Sequence, residues 1–213
     1  MSEHDFKSPS VETFLERLGS DAPTPGGGTA AAVTGAMGAS LVGMLANLTL
    51  GRKKYEAHEK LMTAIAEQAE EERMKLLELA ADDAAAYAAV GAAYKLPKET
   101  DEEKAARSEA IQAALVGACD VPLAIMERCV EIIAIAKTSV QYGNKNAISD
   151  GAAGSEFARS ALRVASYNVK INLGSIKDEE YAKHARTRMD EMEYMGANAA
   201  TWIDSHVNEI WNA

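Results

Sequence analysis

The spacing of apolar residues along the chain predicts helices and little else. Ser10 stands where an N-cap belongs, ahead of Phe14, Leu15 and Leu18, and Gly19 follows as a stop. Pro23, Pro25, Gly26, Gly27 and Gly28 then lead into an uncharged segment, and a helix is expected over about 29–50. Within it Gly35, Ala39 and Gly43 recur at every fourth position, so one face is nearly bare of side chains. A third helix is predicted over about 56–94, with a stripe of Leu61, Ile65, Ala69, Leu76, Ala80, Asp83, Tyr87, Val90 and Tyr94. KLPKET at 95–100 breaks the pattern, and Thr100 with Glu103 forms a capping box that starts a helix at Asp101.

Pro122 should kink or divide that helix near Asp120. The pattern resumes through Ile125, Cys129, Ile132 and Ala136 and stops at Gly143, read as a left-handed C-cap. Ser149 is read as the cap of a fifth helix reaching about Gly174. One face of it carries Phe157, Val164, Tyr167 and Ile171; the adjacent one carries Asp150, Gly154, Ala158, Ala161, Ala165, Asn168 and Asn172. Asp178 caps the last helix, whose stripe includes Tyr181, Ala185, Met192, Met195, Ala199, Trp202 and His206. No stretch alternates with a period of two, and no repeat or linker divides the chain. The expected fold is all-α, an elongated antiparallel bundle formed by residues 1–213 as one domain.

Composition narrows the partners. Net charge is −10, which argues against nucleic acid, since phosphate binding needs a cationic surface. Arg52, Lys53 and Lys54 are a local exception that leaves room for a small anion. Cys119 and Cys129 form no disulfide framework, and the four histidines (His4, His58, His184, His206) pair with no ligand pattern. No metal site and a reducing, cytoplasmic location are therefore expected. Residues 1–9 are polar and carry no leader pattern. The uncharged run 24–51 is long enough to be tested as a membrane span, but it is rich in Gly, Ala, Ser and Thr and no second candidate follows. A buried central helix and no membrane association are expected.

Asp83 is the residue that most invites chemistry. A carboxylate on an apolar stripe loses hydration, which raises its pKa unless donors or cations compensate. It is a general acid or base, an anchor for a cation, or a structural carboxylate bonded to Tyr87 or a neighbouring helix. Asn144, Asn146, Ser149, Asp150, Asn168 and Asn172 offer donors and acceptors suited to a heterocycle edge, and serve equally as loop caps and interhelical bonds. PTPGGG lacks the Lys-Ser/Thr ending of a P-loop and follows no strand, so neither a P-loop nor a Rossmann turn is supported. The basic cluster either binds a carboxylate-rich tail or is a solvated helix end.

Six motifs occur in order: the run SDAPTPGGG at 20–28, Leu48-Thr49-x-Gly51-Arg52-Lys53-Lys54-Tyr55, Asp83-x-x-x-Tyr87, Leu96-Pro97-Lys98, Gly143-Asn144 with Ser149-Asp150, and Asn168-Val169-x-x-Asn172. Together they resemble the formiminotetrahydrofolate cyclodeaminase / methenyltetrahydrofolate cyclohydrolase family, and most of all its stand-alone bacterial cyclohydrolases. The resemblance implies a helical fold that associates as a homodimer or higher homo-oligomer. It also implies hydrolysis of 5,10-methenyltetrahydrofolate to 10-formyltetrahydrofolate, with the folate as substrate and no metal or nicotinamide cofactor. The alternative is the cyclodeaminase, which closes the same one-carbon bridge and releases ammonia; the lack of an attached formiminotransferase domain favours the cyclohydrolase. A non-catalytic oligomer or adaptor is a further alternative, and it leaves Asp83 and the amide cluster unexplained.

By the same resemblance Asp83 is catalytic. Gly26, Gly27, Gly28, Arg52, Lys53, Lys54, Tyr55, Asn144, Ser149, Asp150, Asn168 and Asn172 bind substrate, the basic residues meeting a glutamate or polyglutamate tail. A helix of ~22 residues spans roughly 33 Å, so one ligand touching both ends of the second helix would need a neighbouring subunit.

Overall fold

The computed structural model describes residues 10–212. Its helices are α1 (Val11–Leu18), α2 (Gly27–Asn47), α3 (Glu59–Tyr94), α4 (Asp101–Tyr142), α5 (Ile148–Leu173) and α6 (Glu179–Trp211), with 3-10 turns at Lys53–His58 and Lys145–Ala147. No strand occurs among the described residues. Residues 1–9, where no leader pattern is expected, and His4 among them lie outside the described residues.

α2 is the axis of the bundle, and its glycines set how closely the neighbours approach. Gly28 meets Asp83, Gly35 meets Leu76 and Gly43 meets Ala69, so α3 runs antiparallel to α2. Gly27 faces Asn168 and Gly38 faces Gly154, so α5 is antiparallel as well. Gly35 also touches Cys129, and Leu45 touches Gly143, which makes α4 parallel. The bare Gly35–Ala39–Gly43 face thus seats α3 and α4. α2 and α5 approach most closely elsewhere: a Cβ on Gly38 would lie 2.7 Å from the Gly154 carbonyl oxygen, and one on Gly154 2.8 Å from that of Gly38. Backbone meets backbone there. α6 closes the far side, with Arg188 paired to Glu127 of α4 and Gly196 against Leu162 and Ile133.

Leu45, Met62, Leu76, Leu123, Ile125, Met126, Ile132, Ile133 and Ile203 fill the centre and are almost fully buried. Each contributes roughly 1.5–3 kcal/mol of burial. Several expected stripes are displaced from the observed core. On α3, Ile65, Ala69, Leu76 and Ala80 are buried as expected, but Met62 replaces Leu61, and further along Ala84 and Ala93 take over while Tyr87 and Tyr94 are exposed. On α5 the small-residue face is the buried one, and Phe157, Tyr167 and Ile171 point outward. On α6 the buried line is Ala185, Met189, Met192, Gly196, Ala200, Ile203 and Val207, with Met195 exposed. Small residues win these interfaces because they let helix backbones approach, and dispersion contacts decay steeply with separation.

Ser10, Thr100 with Glu103, and Asp178 cap their helices as expected. Pro122 does not divide α4, which continues through it. Gly143 is extended (φ −83°, ψ −175°) rather than left-handed. Glycine is needed there for space, since a Cβ would overlap the Ser139 carbonyl and lie 3.2 Å from Thr49 Oγ1. The left-handed glycine is Gly51, at φ +69°. Ser149 is not a cap; Asn144 Oδ1 accepts the Asn146 N–H at 3.1 Å and opens the turn that runs into α5. Length and composition would let both α2 and α4 cross a membrane, where the sequence reading found α2 alone. In the fold both are core helices.

Gly154→Val should cost about 1–3 kcal/mol by forcing α2 and α5 apart. Gly117→Ala, on an open helical surface, should instead stabilise by roughly 0.5–1 kcal/mol. Urea unfolding midpoints of the two variants check the assignment of α2–α5 as the tight interface.

Candidate active site

At one end of the bundle four helices converge on a cavity of about 440 Å³. α2 contributes Gly27 and Gly28 behind Gly26, Thr24 and Pro23; α3 contributes Asp83, Ala86, Tyr87 and Val90; α4 contributes Ala118; α5 contributes Asn168, Ile171 and Asn172. A larger groove between α2 and α3 is floored by Ala39, Gly43, Ala66 and Ala69; of its charged residues Glu67, Glu70 and Arg73, the last two pair with each other. The smaller cavity holds the buried chemistry.

Asp83 faces the first turn of α2. Its Oδ2 accepts the Thr29 hydroxyl at 2.8 Å, and the Thr29 backbone amide donates to the same carboxylate. The N-cap position, Gly26, offers no side chain, so a carboxylate from α3 satisfies a helix end that would otherwise lack an acceptor. A Cβ on Gly28 would overlap Oδ1 and Cγ of Asp83, which explains the glycine directly. Burial raises the Asp83 pKa above the ordinary carboxylate range, and the two Thr29 bonds oppose that rise. Glu72, about three turns earlier on α3, is buried more deeply but has Arg128 at 3.2 Å and Lys75 at 3.3 Å. No cation contributes to the Asp83 shift. Glu72 is held as an ion pair, whereas Asp83 is held by neutral donors. Its partner is Thr29, not Tyr87.

The two asparagines are oriented by the backbone. Asn168 Nδ2 donates to the Val164 carbonyl at 3.1 Å, and Asn172 Nδ2 donates to the Ala118 carbonyl at 2.7 Å. Ala118 lies four residues before Pro122, so its carbonyl is the one that the missing proline N–H leaves free. The proline expected to break α4 thus creates an acceptor that fixes a cavity side chain. Each asparagine keeps Oδ1 and a second N–H, the paired acceptor and donor that a heterocyclic amide edge requires.

The remaining expected site residues lie at the opposite end. Asn144 is buried and committed to the loop: its N–H donates to Thr49 Oγ1 at 2.8 Å and its Nδ2 to the Leu48 carbonyl at 3.0 Å. Tyr55 is buried too, its hydroxyl accepting the Lys145 N–H at 3.0 Å. Both tie the α4–α5 connection to the end of α2. Arg52 Nε donates to the Leu48 carbonyl at 2.7 Å, and a shallow cavity of about 550 Å³ is bounded by Gly51, Arg52, Lys53, Glu56 and Glu59. Ser149 is exposed and Asp150 half-buried in the first turn of α5. α2, 21 residues long, separates the two groups by about 30 Å. One chain therefore unites Gly26, Gly27, Gly28, Asp83, Asn168 and Asn172, and does not unite them with Arg52, Lys53, Lys54, Tyr55, Asn144, Ser149 or Asp150. The grouping of Asp150 and Asn144 with Asn168 and Asn172 on one ligand edge fails within a single subunit, because they sit at opposite ends of α5 and its approach loop.

Thr29 and Ala118 were not singled out from sequence. Thr29 is the third residue of the helix that follows the glycine run, and Ala118 follows from subtracting four from Pro122; both signals are local.

The family model described as Formiminotransferase-cyclodeaminase matches residues 10–191. The chain belongs to that family. It is 47% identical over 190 residues to the methenyltetrahydrofolate cyclohydrolase of Methylorubrum extorquens, covering 89% of this chain and 90% of that one. It is 30% identical over 190 residues to the formimidoyltransferase-cyclodeaminase of Rattus norvegicus, of which it spans 35%. The crystal structure of formiminotetrahydrofolate cyclodeaminase from Thermotoga maritima superposes with a TM-score of 0.87 at 31% identity, covering 96% of this chain and 98% of that one.

In this family member the raised Asp83 pKa has a consequence for stability. A carboxyl whose folded pKa exceeds its unfolded value, ordinarily near ~3.9, stabilises the fold while protonated and loses that contribution as pH rises through the folded pKa. Asp83→Asn keeps an acceptor for Thr29 but never ionises. Its melting temperature relative to wild type should therefore rise as pH climbs from the ordinary carboxylate range towards neutrality, and the difference should vanish in acid.

Proposed function

We propose that the protein is a methenyltetrahydrofolate cyclohydrolase, interconverting 5,10-methenyltetrahydrofolate and 10-formyltetrahydrofolate. The observation that carries this reading is a half-buried carboxylate held by neutral donors beside two oriented amides, in a chain 47% identical along 90% of a protein of that name. The substrate's bridging carbon is part of a cationic amidinium and is already electrophilic. Asp83 stabilises that charge and accepts a proton from water as the new C–O bond forms and the C=N electron pair moves to nitrogen. The tetrahedral adduct then collapses with cleavage of the bond to N5, which takes up a proton. Cation and water in total give the neutral formyl compound and one proton, so the step consumes no metal, nicotinamide or other cofactor.

Asn168 and Asn172 hold the pterin edge, with the glycine-rich entry letting the ligand come close to the backbone. Arg52, Lys53 and Lys54 serve the carboxylates of the glutamate tail, single or multiple. Because they lie about 30 Å from Asp83, the complete site uses two copies of the chain, one supplying the cavity and the other the basic end. Met37, Met44, Phe157, Tyr167 and Ile171, exposed on α2 and α5, are the apolar surface for that association. The cyclodeaminase reaction would use the same carboxylate and expel ammonia, and the Thermotoga maritima neighbour carries that name at lower identity.

Purified protein should bleach the methenyl chromophore and release little ammonia from 5-formiminotetrahydrofolate; the reverse preference would make it a cyclodeaminase, and inertness toward both would make it an adaptor. Asp83→Asn should abolish bleaching while retaining folate binding. Mixing inactive Asp83→Asn with a Lys53→Glu, Lys54→Glu variant should restore turnover if two copies share each site, and should not if one chain suffices.

A further inference from the structure

Thr29 is fully buried, belongs to no sequence motif discussed above, and spends both of its donors on one acceptor. Its hydroxyl meets Asp83 Oδ2 at 2.8 Å and its backbone amide meets the same carboxylate. Gly28, immediately before it, has its Cα pressed so close to Asp83 that no side chain could fit. Thr29 and Gly28 together form a clasp, one holding the carboxylate and the other clearing the space it occupies. A helix cap alone would need only one bond from one oxygen. A clasp of two donors from a single rigid residue fixes the carboxylate plane and leaves each oxygen further acceptor capacity toward the cavity.

We propose that Thr29 is the positioning residue of the reaction, orienting the Asp83 carboxylate for proton transfer. This rests on Asp83 being the catalytic group, as read above. The surroundings make Thr29 the dominant influence. α2 carries no charged side chain, α5 presents Asn168, Ile171 and Asn172, α4 presents Ala118, and on α3 the other titratable cavity residue is Tyr87 while Asp82 is exposed. Since both Thr29 bonds favour the ionised carboxylate, losing one must move the Asp83 pKa further up. A catalytic base then requires a higher pH to be ionised.

The test compares Thr29→Val, which keeps volume and backbone amide but removes the hydroxyl, with Thr29→Ser, which keeps the hydroxyl. Thr29→Val should lower kcat about tenfold or more, the scale of a hydrogen bond to a charged group, with a much smaller change in KM. The acid limb of its kcat–pH profile should move to higher pH. Thr29→Ser should recover most of kcat and return the limb to its original place. Wild-type kcat with an unmoved limb in Thr29→Val overturns the proposal, and so does a Ser variant as impaired as Val with its limb equally displaced, because the retained hydroxyl would then not be what orients Asp83. Should Val fail to fold, Thr29→Ala removes the same hydroxyl without added bulk and is read on the same terms. Asp83→Asn, assayed alongside, separates the two readings. If it retains wild-type turnover the function assigned to Asp83 fails; if it is inactive and Thr29→Val is normal, only the role of Thr29 fails.

Discussion

Everything at the candidate site depends on how near α2 can come to its neighbours. Where Gly38 and Gly154 meet backbone to backbone, α5 is locked in register against α2, and a shift of one residue would drive a side chain into a carbonyl. That register places Asn168 beside Gly27. On the other side Gly35 and Gly43 seat Leu76 and Ala69, and the same antiparallel register brings Asp83 to Thr29. Helix interfaces built on bare glycine surface tolerate little error, because overpacking there strains backbone rather than a flexible side chain. The cavity is precise at one end of α2 because the middle of α2 is incompressible.

Helices were legible in the sequence because each has a cap or a stop that acts locally. Ser10, Thr100 with Glu103, and Asp178 cap through bonds to residues three positions away, which a linear reading can see. Faces were less legible. Phe157, Tyr167 and Ile171 recur at helical spacing and look like core, yet the buried side of α5 is the one with Gly154, Ala158, Ala161 and Ala165. Periodicity reports that a face is apolar, not which of two apolar faces will be covered. Asp83 was visible as an anomaly on its stripe, but its partner is 54 residues away in sequence and no local rule names it. Asn144, Asn168 and Asn172 looked alike as polar residues near helix ends; their bonds separate them into a loop brace and two cavity residues. Gly143 was assigned to a backbone conformation when crowding by Ser139 is its reason.

Pro122 illustrates how a local defect can be absorbed by the tertiary structure. A proline inside a helix removes one donor, and the carbonyl four residues back must find another partner or remain unsatisfied. Here the substitute is Asn172 from α5, so the irregularity in α4 and the orientation of a cavity amide are one hydrogen bond. The nearby Asp120 is engaged separately, by the Tyr181 hydroxyl of α6 at 2.8 Å. A stretch of α4 that reads as a weak point is therefore tied to two other helices, and one of those ties orders the site.

Asp83 and Glu72 set out two ways of keeping a carboxylate inside a helical bundle. Glu72 is neutralised by Arg128 and Lys75, a solution that holds the charge but leaves it little affinity for another cation. Asp83 is held by a hydroxyl and an amide, which satisfy hydrogen bonding without cancelling charge. Burial and the Thr29 bonds pull its pKa in opposite directions, with burial prevailing. The outcome is a carboxylate that is ordered before any ligand arrives and still carries an uncompensated preference for positive charge. On the proposed reading a cationic amidinium relieves that preference on binding, and the carboxylate accepts the proton of the attacking water. The clasp is thus what separates the carboxylate proposed to react from the ion-paired one on the same helix, and it begins with a threonine after three glycines.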